Sequence, residues 1–191
     1  MDSLHWLLTL CIGLGLAAST GFNVTLPMLL LAGLAHFHVG GVTLRHDFAW
    51  LSSDTALVSL SIAAVIEFLA DKVPGIDHAV HAVSMVAGPL AGAITAASVQ
   101  THADPAAAIL VGLILGGTTS LGFTGAVSSL RLASSAVTFG IANPFLSLAE
   151  DGTAICLVFL GLFAPFLVPV ILALLVMFIW KLVKTVRRRA A

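Results

Sequence analysis

Long apolar runs separated by short polar breaks dominate the chain and predict its helices. A helix needs about 20 apolar residues to cross the roughly 30 Å hydrocarbon core of a membrane. On that basis the sequence predicts seven helical segments, at about residues 4–20, 23–39, 54–72, 77–100, 104–117, 122–140 and 151–189. The fold class that follows is an all-α integral membrane protein, in which some helices are broken or re-entrant.

Glycine and proline residues refine this pattern. Asp104-Pro105 supplies an N-cap followed by a proline in the first helical turn, which is a preferred helix start. Two glycine pairs, Gly88-x-x-x-Gly92 and Gly112-x-x-x-Gly116, predict close contacts between helices. Pro165, with a second proline four residues later, predicts a kink within the last segment.

Two pairs of similar stretches indicate an internal repeat. Gly13–Thr20 lines up with Gly112–Thr119, and Leu51–Leu57 lines up with Leu148–Ile155 if one residue is inserted. The alignment predicts two three-helix repeats joined by a linker helix (3+1+3), divided as residues 1–72, 73–103 and 104–191. A linker that crosses the membrane makes the repeats parallel, and one that does not makes them inverted; the sequence leaves both open.

Composition strengthens the membrane prediction and excludes other classes. The chain has 191 residues, of which 59% are hydrophobic and 9% are charged, whereas about 25% charged residues is usual in a soluble domain. A net charge of -1 argues against a nucleic-acid partner. The sequence contains no catalytic triad, P-loop or dinucleotide-binding fingerprint, so we expect neither an enzyme nor a bound cofactor.

The distribution of basic residues predicts the orientation. Lys and Arg concentrate on the cytoplasmic side of membrane proteins. Seven crossings with the C-terminus inside place Lys72 and the five basic residues of the tail in the cytoplasm, and leave Arg45 outside. We therefore expect a multi-pass protein of the bacterial inner membrane, with its N-terminus outside and its C-terminus inside.

Polar breaks at matching positions of the two repeats are candidate substrate sites. Residues 19–23 and 116–122 are rich in Gly, Ser and Thr, and each break lies between two short apolar stretches. Paired interruptions of this kind indicate a transport site, because freed backbone groups inside a membrane need partners. Ordinary turns at the membrane surface are the alternative. The candidate residues are Ser19, Thr20, Asn23, Thr118, Thr119 and Ser120.

Acidic residues form a second candidate site. Glu67 and Asp71 are four residues apart and share one helix face, and Asp77 follows after the Lys72–Gly75 bend. A carboxylate at membrane depth is costly and therefore faces the bundle interior or a cavity. We expect Glu67 and Asp71 to carry a proton or bind a coupling cation. The alternative is structural: Glu67 pairs with Arg131 or a freed backbone group, and Asp77 caps a helix.

Arg131 lies within an apolar helix and needs a partner. By depth Glu67 is the nearest acid, while Glu150 or Asp151 would pair if the helix were shifted; binding of an anionic substrate is a further alternative. Three residues weakly indicate a metal site, because they could share one helix face and their side chains are of types that bind zinc. These residues are Asp77, His78 and His81.

Two motifs resemble a known family. Gly21-Phe-Asn23-x-x-x-Pro27 follows a glycine-rich first helix, and Glu67-x-x-x-Asp71-Lys72-x-Pro74-x-x-Asp77 forms the acidic bend. Together they are similar to the bacterial membrane proteins grouped as domain of unknown function 4126, and the similarity covers nearly the whole chain. The resemblance implies a polytopic membrane protein and implies no substrate.

The function expected from these features is transport of a small solute or ion, coupled to protons or cations. The expected partners are the lipid bilayer and the transported solute or ion. A non-transporting protein that binds lipid or stabilises partner proteins is the alternative, and a membrane enzyme acting on lipid-linked substrates is a third. The sequence leaves open whether the chain forms a homo-oligomer.

Overall fold

The structure, a computed structural model, describes residues 3–71, 76–139 and 141–190; for 76–79, 81, 183 and 186–190 it describes the backbone alone. These ranges contain helices and connections and no strand. Three short 3-10 turns (Val39–Gly41, His46–Ser52 and Pro165–Leu167) and a π-helical segment (Gly112–Gly117) accompany the α-helices. The α-helices are α1 Ser3–Thr20, α2 Thr25–His36, α3 Asp54–Ala70, α4 Ile76–Ser98, α5 Pro105–Val111, α6 Thr118–Thr138, α7 Asn143–Phe163 and α8 Val168–Ala190.

Within the described ranges, four helices are long and apolar enough to cross a membrane. They comprise α1, the continuous helix Pro105–Thr138, α7, and Pro165–Leu182. The bent pair formed by His46–Ser52 and α3, with an angle of 58° between its parts, makes a fifth if it counts as one span. The chain is thus an all-helical membrane protein, while the seven predicted segments remain a prediction.

The start of α1 lies at the same end of the molecule as the connection that follows α2. The rings of His5 and His102 are 4.6 Å apart between centroids. Arg45, in the connection after α2, donates from Nη1 to the carbonyl oxygen of Ala103 at 2.6 Å. We call this end, formed by the start of α1 and residues 37–53 and 99–104, the Arg45 end.

Helix α2 returns from the interior to the Arg45 end. His36 Nδ1 at its last residue lies 2.7 Å from the Ser52 carbonyl oxygen. Twelve residues rise about 18 Å, which is less than the roughly 30 Å of a hydrocarbon core. Residues 21–23, in the turn between α1 and α2, are buried. The two helices therefore form a hairpin that enters the bundle, turns inside it and returns, with its tip at residues 20–25.

The predicted helix break at 116–122 is wrong. Residues 105–138 form one helix, with the π-helical segment Gly112–Gly117 inside it. Glycines here serve close packing rather than a turn: a Cβ on Gly112 would lie 2.5 Å from the Ala93 carbonyl oxygen of α4. The glycine pairs predicted to make close helix contacts thus do so. Since Thr20 ends a helix and Thr119 continues one, the aligned stretches differ in backbone course, and the repeat stays a prediction.

The predicted last segment is two helices. α7 begins at Asn143, eight residues before the predicted start at Asp151, and has a proline in its first turn. It ends at Phe163, because Ala164 leaves the helical region with φ -140° and ψ 54° directly before Pro165. The sequence predicts a kink at Pro165, and the structure shows a complete helix end there instead. Asp151 consequently lies inside α7 rather than at its start.

Candidate functional site

Asn23 fixes the tip of the α1–α2 hairpin. Its Oδ1 accepts a hydrogen bond from the Leu26 backbone N–H at 2.8 Å, which satisfies one of the free donors at the start of α2. Its Nδ2 donates to Asp151 Oδ1 of α7 at 2.9 Å. One side chain therefore both caps α2 and ties the tip to α7.

Glu67 of α3 provides a second attachment for the tip. Its carboxylate accepts hydrogen bonds from the backbone N–H groups of Val24, at 3.4 Å, and Thr25, at 3.3 Å, and from the Thr25 hydroxyl. Donors at a helix N-terminus lack partners within the helix and attract negative charge. A carboxylate from α3 thus satisfies the beginning of α2, which is the backbone alternative that the sequence predicted for Glu67.

Arg131 joins three helices at the base of this site. Its Nε lies 3.1 Å from each carboxylate oxygen of Glu150 in α7, and its Nη2 pairs with the same group. The same Nη2 donates at 3.3 Å to Asp71 Oδ2, which follows α3 and also accepts from the Ser147 hydroxyl at 3.0 Å. The Arg131 side chain is only 3% exposed, so both ion pairs lie in the protein interior.

We call Glu67, Asp71, Glu150 and Asp151, with Arg131, the acidic cluster. The described side chains at this site thus comprise four carboxyl groups and one guanidinium. Two buried polar atoms, Asp71 Oδ1 and Arg131 Nη1, have no hydrogen-bond partner among the described residues. In the part of the chain that the structure describes, no three His, Cys, Asp or Glu residues converge as a metal site.

The polar candidates from the two breaks have different surroundings. Ser19 and Thr20 are buried and donate to backbone carbonyls of their own helix, at 2.6 and 2.8 Å. The Thr20 hydroxyl also lies 3.0 Å from the Ser120 hydroxyl of α6, from which it can accept a hydrogen bond. Thr118 instead donates to the Ile114 carbonyl and is exposed on the outer face of its helix. The structure therefore brings together Thr20, Ser120 and the hairpin tip.

The remaining candidates lie at the start of α4. Asp77, His78 and His81 belong to that helix by backbone, and their side chains lie outside the described part of the structure. Lys72 lies outside the described residues altogether. The weak metal prediction for the three α4 residues consequently stays a prediction.

Sequence reasoning misidentified the nearest partner of Arg131. By depth the sequence favours Glu67 and names Glu150 only as an alternative, but Glu150 and Asp71 are the acids that bind the guanidinium. Glu150 and Asp151 are not among the predicted site residues, because the sequence places the start of the last segment at Asp151; α7 begins eight residues earlier, at Asn143. The Asn143-Pro144 pair resembles the Asp104-Pro105 helix start and could have corrected this boundary.

Two cavities lie beside these elements. One of about 130 Å³ is lined by Glu150 together with apolar side chains that include Phe22, Leu146 and Phe178. A second, of about 550 Å³, is a groove between α6 and α8 that we call the α6–α8 groove. Its lining includes Thr118, Thr119, Gly122, Ser129, Val176 and Trp180.

Apolar helices around buried charges define an all-helical membrane protein with an internal polar site. The chain belongs to the family described as a domain of unknown function (DUF4126), which matches residues 10–185. This confirms the family resemblance seen in the sequence motifs. Comparisons with curated proteins and with solved structures yield no match.

Proposed function

We propose that this protein is a proton- or cation-coupled transporter of a small solute or ion in the inner membrane of a bacterium. The acidic cluster is the observation that carries the proposal: its four carboxyl groups, held around the tip of the α1–α2 hairpin, face one described guanidinium. Such a cluster is expected where charge enters and leaves during a transport cycle, because ionisable groups within membranes mark ion pathways.

The charge balance of the acidic cluster determines whether the site suits a proton or cation, or an anion. Among the described side chains of the acidic cluster, four carboxylates and one guanidinium leave three negative charges if every group is ionised. A carboxylate at membrane depth costs on the order of 2.5–3.5 kcal/mol on insertion scales. Protons or a bound cation would remove this excess. An anionic substrate is disfavoured, because Arg131 already donates to two acids.

Glu67 is suited to couple this charge to movement of the hairpin. As a carboxylate it accepts two backbone N–H groups and one hydroxyl at the start of α2. A proton on Glu67 would turn one acceptor oxygen into a donor and remove the anion from a helix N-terminus. The tip would then be held less strongly, so neutralisation of Glu67 would favour its displacement.

The substrate is expected to bind at the hairpin tip. Ser19, Thr20, Asn23 and Ser120 offer hydroxyl and amide groups there, next to the acidic cluster. Thr118 and Thr119, which the sequence also suggested, line the α6–α8 groove instead. The proposal therefore retains the first break as substrate site and takes from the second only Ser120.

A consistent topology supports this arrangement. In this topology α1 and α2 form a re-entrant hairpin, so α1 does not cross although it is long and apolar enough to do so. The crossings are α3, α4, the helix Pro105–Thr138, α7 and α8. Five crossings put the Arg45 end outside and the basic end of α8 inside, which agrees with the positive-inside rule. The proposal thus keeps the predicted N-out, C-in orientation with five crossings instead of seven.

One observation favours the alternative, a non-transporting protein that binds lipid or stabilises partner proteins. The cavity that reaches Glu150 has a volume of about 130 Å³ and is lined mostly by apolar side chains. A transporter needs a polar path to its site in at least one state. In the alternative the acidic cluster would only hold α3, α6 and α7 together.

A thermal-shift screen of the purified protein tests the proposal. Wild type and Glu67→Gln are compared at acidic and neutral pH, with Na⁺, K⁺ and panels of sugars, amino acids and amines. A ligand at 100 times its Kd that binds only the folded form adds about 2.7 kcal/mol to the free energy of unfolding. We expect a ligand that stabilises the wild type and loses its effect in Glu67→Gln.

Asp54→Asn is the matched control, because it removes a carboxylate from the exposed start of the same helix. This variant should retain the wild-type response. Hits are then tested as solute jumps on proteoliposomes adsorbed to a sensor surface, where coupled transport gives a current. A screen without any stabilising solute or ion, with Glu67→Gln merely less stable, would contradict transport and favour the alternative.

A further inference from the structure

The α6–α8 groove is a second potential binding site, separate from the acidic cluster. Its volume of about 550 Å³ falls within the range of about 300–1,000 Å³ that ligand pockets occupy. Along α6 it extends from Thr118 to Ser129, a rise of about 16 Å. Its walls are largely apolar, and α8 exposes Val176 and Trp180 beside it. A groove of this length and character suits an extended hydrocarbon chain.

One end of the groove meets a basic segment. Trp180 lines the groove, and the Nζ of Lys184 lies 4.9 Å from the centre of its ring. Lys181 is adjacent, and α8 continues into Arg187–Arg189, so five basic residues follow Trp180 within nine positions. Tryptophan is enriched at membrane interfaces, and basic clusters directly after a membrane helix attract anionic lipids.

We propose that the α6–α8 groove binds an anionic phospholipid of the surrounding membrane. One acyl chain lies between α6 and α8, and the phosphate contacts Lys181 and Lys184 near Trp180. A second copy of the chain is a poorer occupant, because joining two α8 helices along this groove would bring two basic segments together. The inference does not depend on the proposed transport function.

Gly122 allows the groove to be filled without disturbing the fold. It lines the groove, and a Cβ added there would have no atom within 4 Å. Gly125 lies one turn further along the same helix, is equally open, and is not among the groove residues. Gly122→Phe and Gly125→Phe therefore add the same side chain to the same helix, inside and outside the site.

Native mass spectrometry of the full chain in a neutral detergent tests this site. The probes are phosphatidylglycerol and phosphatidylcholine with identical acyl chains. We expect wild type and Gly125→Phe to prefer phosphatidylglycerol and Gly122→Phe to lose binding of both lipids. Lys181→Ala with Lys184→Ala should weaken phosphatidylglycerol binding about 30-fold, at about 1 kcal/mol per basic residue, and weaken phosphatidylcholine binding less, because its choline group already neutralises the phosphate.

Three results would overturn the proposal. Equal affinity of the wild type for the two lipids would exclude recognition of the anionic headgroup. Undiminished phosphatidylglycerol binding by folded Gly122→Phe would place the lipid elsewhere. A wild-type dimer that Gly122→Phe converts to a monomer would identify the groove as an interface between copies. If Gly122→Phe does not fold, Val176→Trp fills the groove from an exposed position on α8 and replaces it in each comparison.

Discussion

At the scale of single residues, Arg131 is the central cation of the acidic cluster. It pairs with Glu150 of α7 and with Asp71 after α3, so one guanidinium connects three helices. Transfer of such charges out of water costs free energy that their attraction only partly offsets, so a buried pair is weak support for stability by itself. Removal of one member, however, leaves the others buried and uncompensated.

Arg131→Met should therefore be strongly destabilising. Loss of one partner from a buried ion pair typically costs about 3–5 kcal/mol. Combining it with Glu150→Met removes one of the two acids left without a cation, so the double variant should be more stable than Arg131→Met alone. Unfolding in detergent, followed by circular dichroism, measures both; an Arg131→Met variant within about 1 kcal/mol of wild type would contradict the geometry described here.

The contact between Asn23 and Asp151 allows an exchange experiment. Asn23→Asp alone places two carboxylates where the amide and carboxylate oxygen are 2.9 Å apart, and should lower stability by roughly 1–3 kcal/mol. Asn23→Asp combined with Asp151→Asn restores an amide–carboxylate pair and should recover part of that loss. Strictly additive effects in this double-mutant cycle would show that the two side chains do not interact.

At this scale the sequence predicts which polar residues are buried, but it does not predict which of them contact each other. Thr20, Asn23 and Ser120 are buried, but Ser120 lies in a continuous helix rather than at a break, and the substrate site stays a prediction. The binding of Arg131 to Glu150 rather than Glu67 depends on where α7 begins, and a shift of eight residues in that boundary changes the depth of every side chain that follows. Pairing across helices is thus sensitive to errors that hardly affect the helices themselves.

At the scale of elements, α4 and the π-helical segment pack closely against one another. Gly92 and Gly116 face one another there, and a Cβ at either would meet a backbone carbonyl oxygen of the other helix. Small residues allow membrane helices to approach closely, and van der Waals contact is then a main source of their association. We call this contact between α4 and the π-helical segment the seam. It holds α4 against the helix that carries Ser120 and Arg131.

Gly112→Ala should weaken this seam, because its Cβ would lie 2.5 Å from the Ala93 carbonyl oxygen. Overpacking of this kind typically costs about 1–3 kcal/mol. Gly117→Ala is the matched control: its nearest neighbour would be at 3.5 Å, and alanine favours a helix by up to about 1 kcal/mol. Thermal unfolding should rank Gly112→Ala below wild type and Gly117→Ala at or above it, and the reverse order would argue against the packing.

Helix boundaries marked by specific chemistry were predictable. Asp104 is the N-cap that the sequence indicates, with its Oδ1 accepting from the Ala106 N–H at 2.9 Å, and Pro105 opens the helix. A cluster of Gly, Thr and Ser was ambiguous, because the same residues make turns at a surface and close contacts between helices. At 19–23 they form a turn and at 116–122 a seam, and only the packing of α4 distinguishes the two.

At the scale of the whole molecule, the hairpin decides how the chain lies in the membrane. If α1 and α2 return to the side from which they enter, the later helices determine where each connection emerges. Phe139, Ile141 and Ala142, between α6 and α7, then share a side with the end of α8. The seven-crossing prediction instead puts this connection outside, so its position distinguishes the two topologies.

Cysteine labelling in intact cells tests this difference. In a background with both native cysteines replaced, single cysteines are introduced at the exposed positions Ala49, Ile141 and Thr185. A membrane-impermeant maleimide should label Ala49→Cys directly, and Ile141→Cys and Thr185→Cys only after permeabilisation. Direct labelling of Ile141→Cys would contradict the five-crossing topology and support seven crossings.

The π-helical segment also determines which face of the long helix Pro105–Thr138 each later residue occupies. Along one line of this helix, buried residues recur at four-residue intervals, at Ala108, Gly112, Gly116, Ser120 and Thr124. In an α-helix of 3.6 residues per turn such a stripe would rotate by about 40° at each step. A π-helical turn, with its wider hydrogen-bonded ring, holds more residues and counters this rotation. Deletion of one residue there would turn α6 by about 100° relative to α5 and carry Arg131 away from its acids.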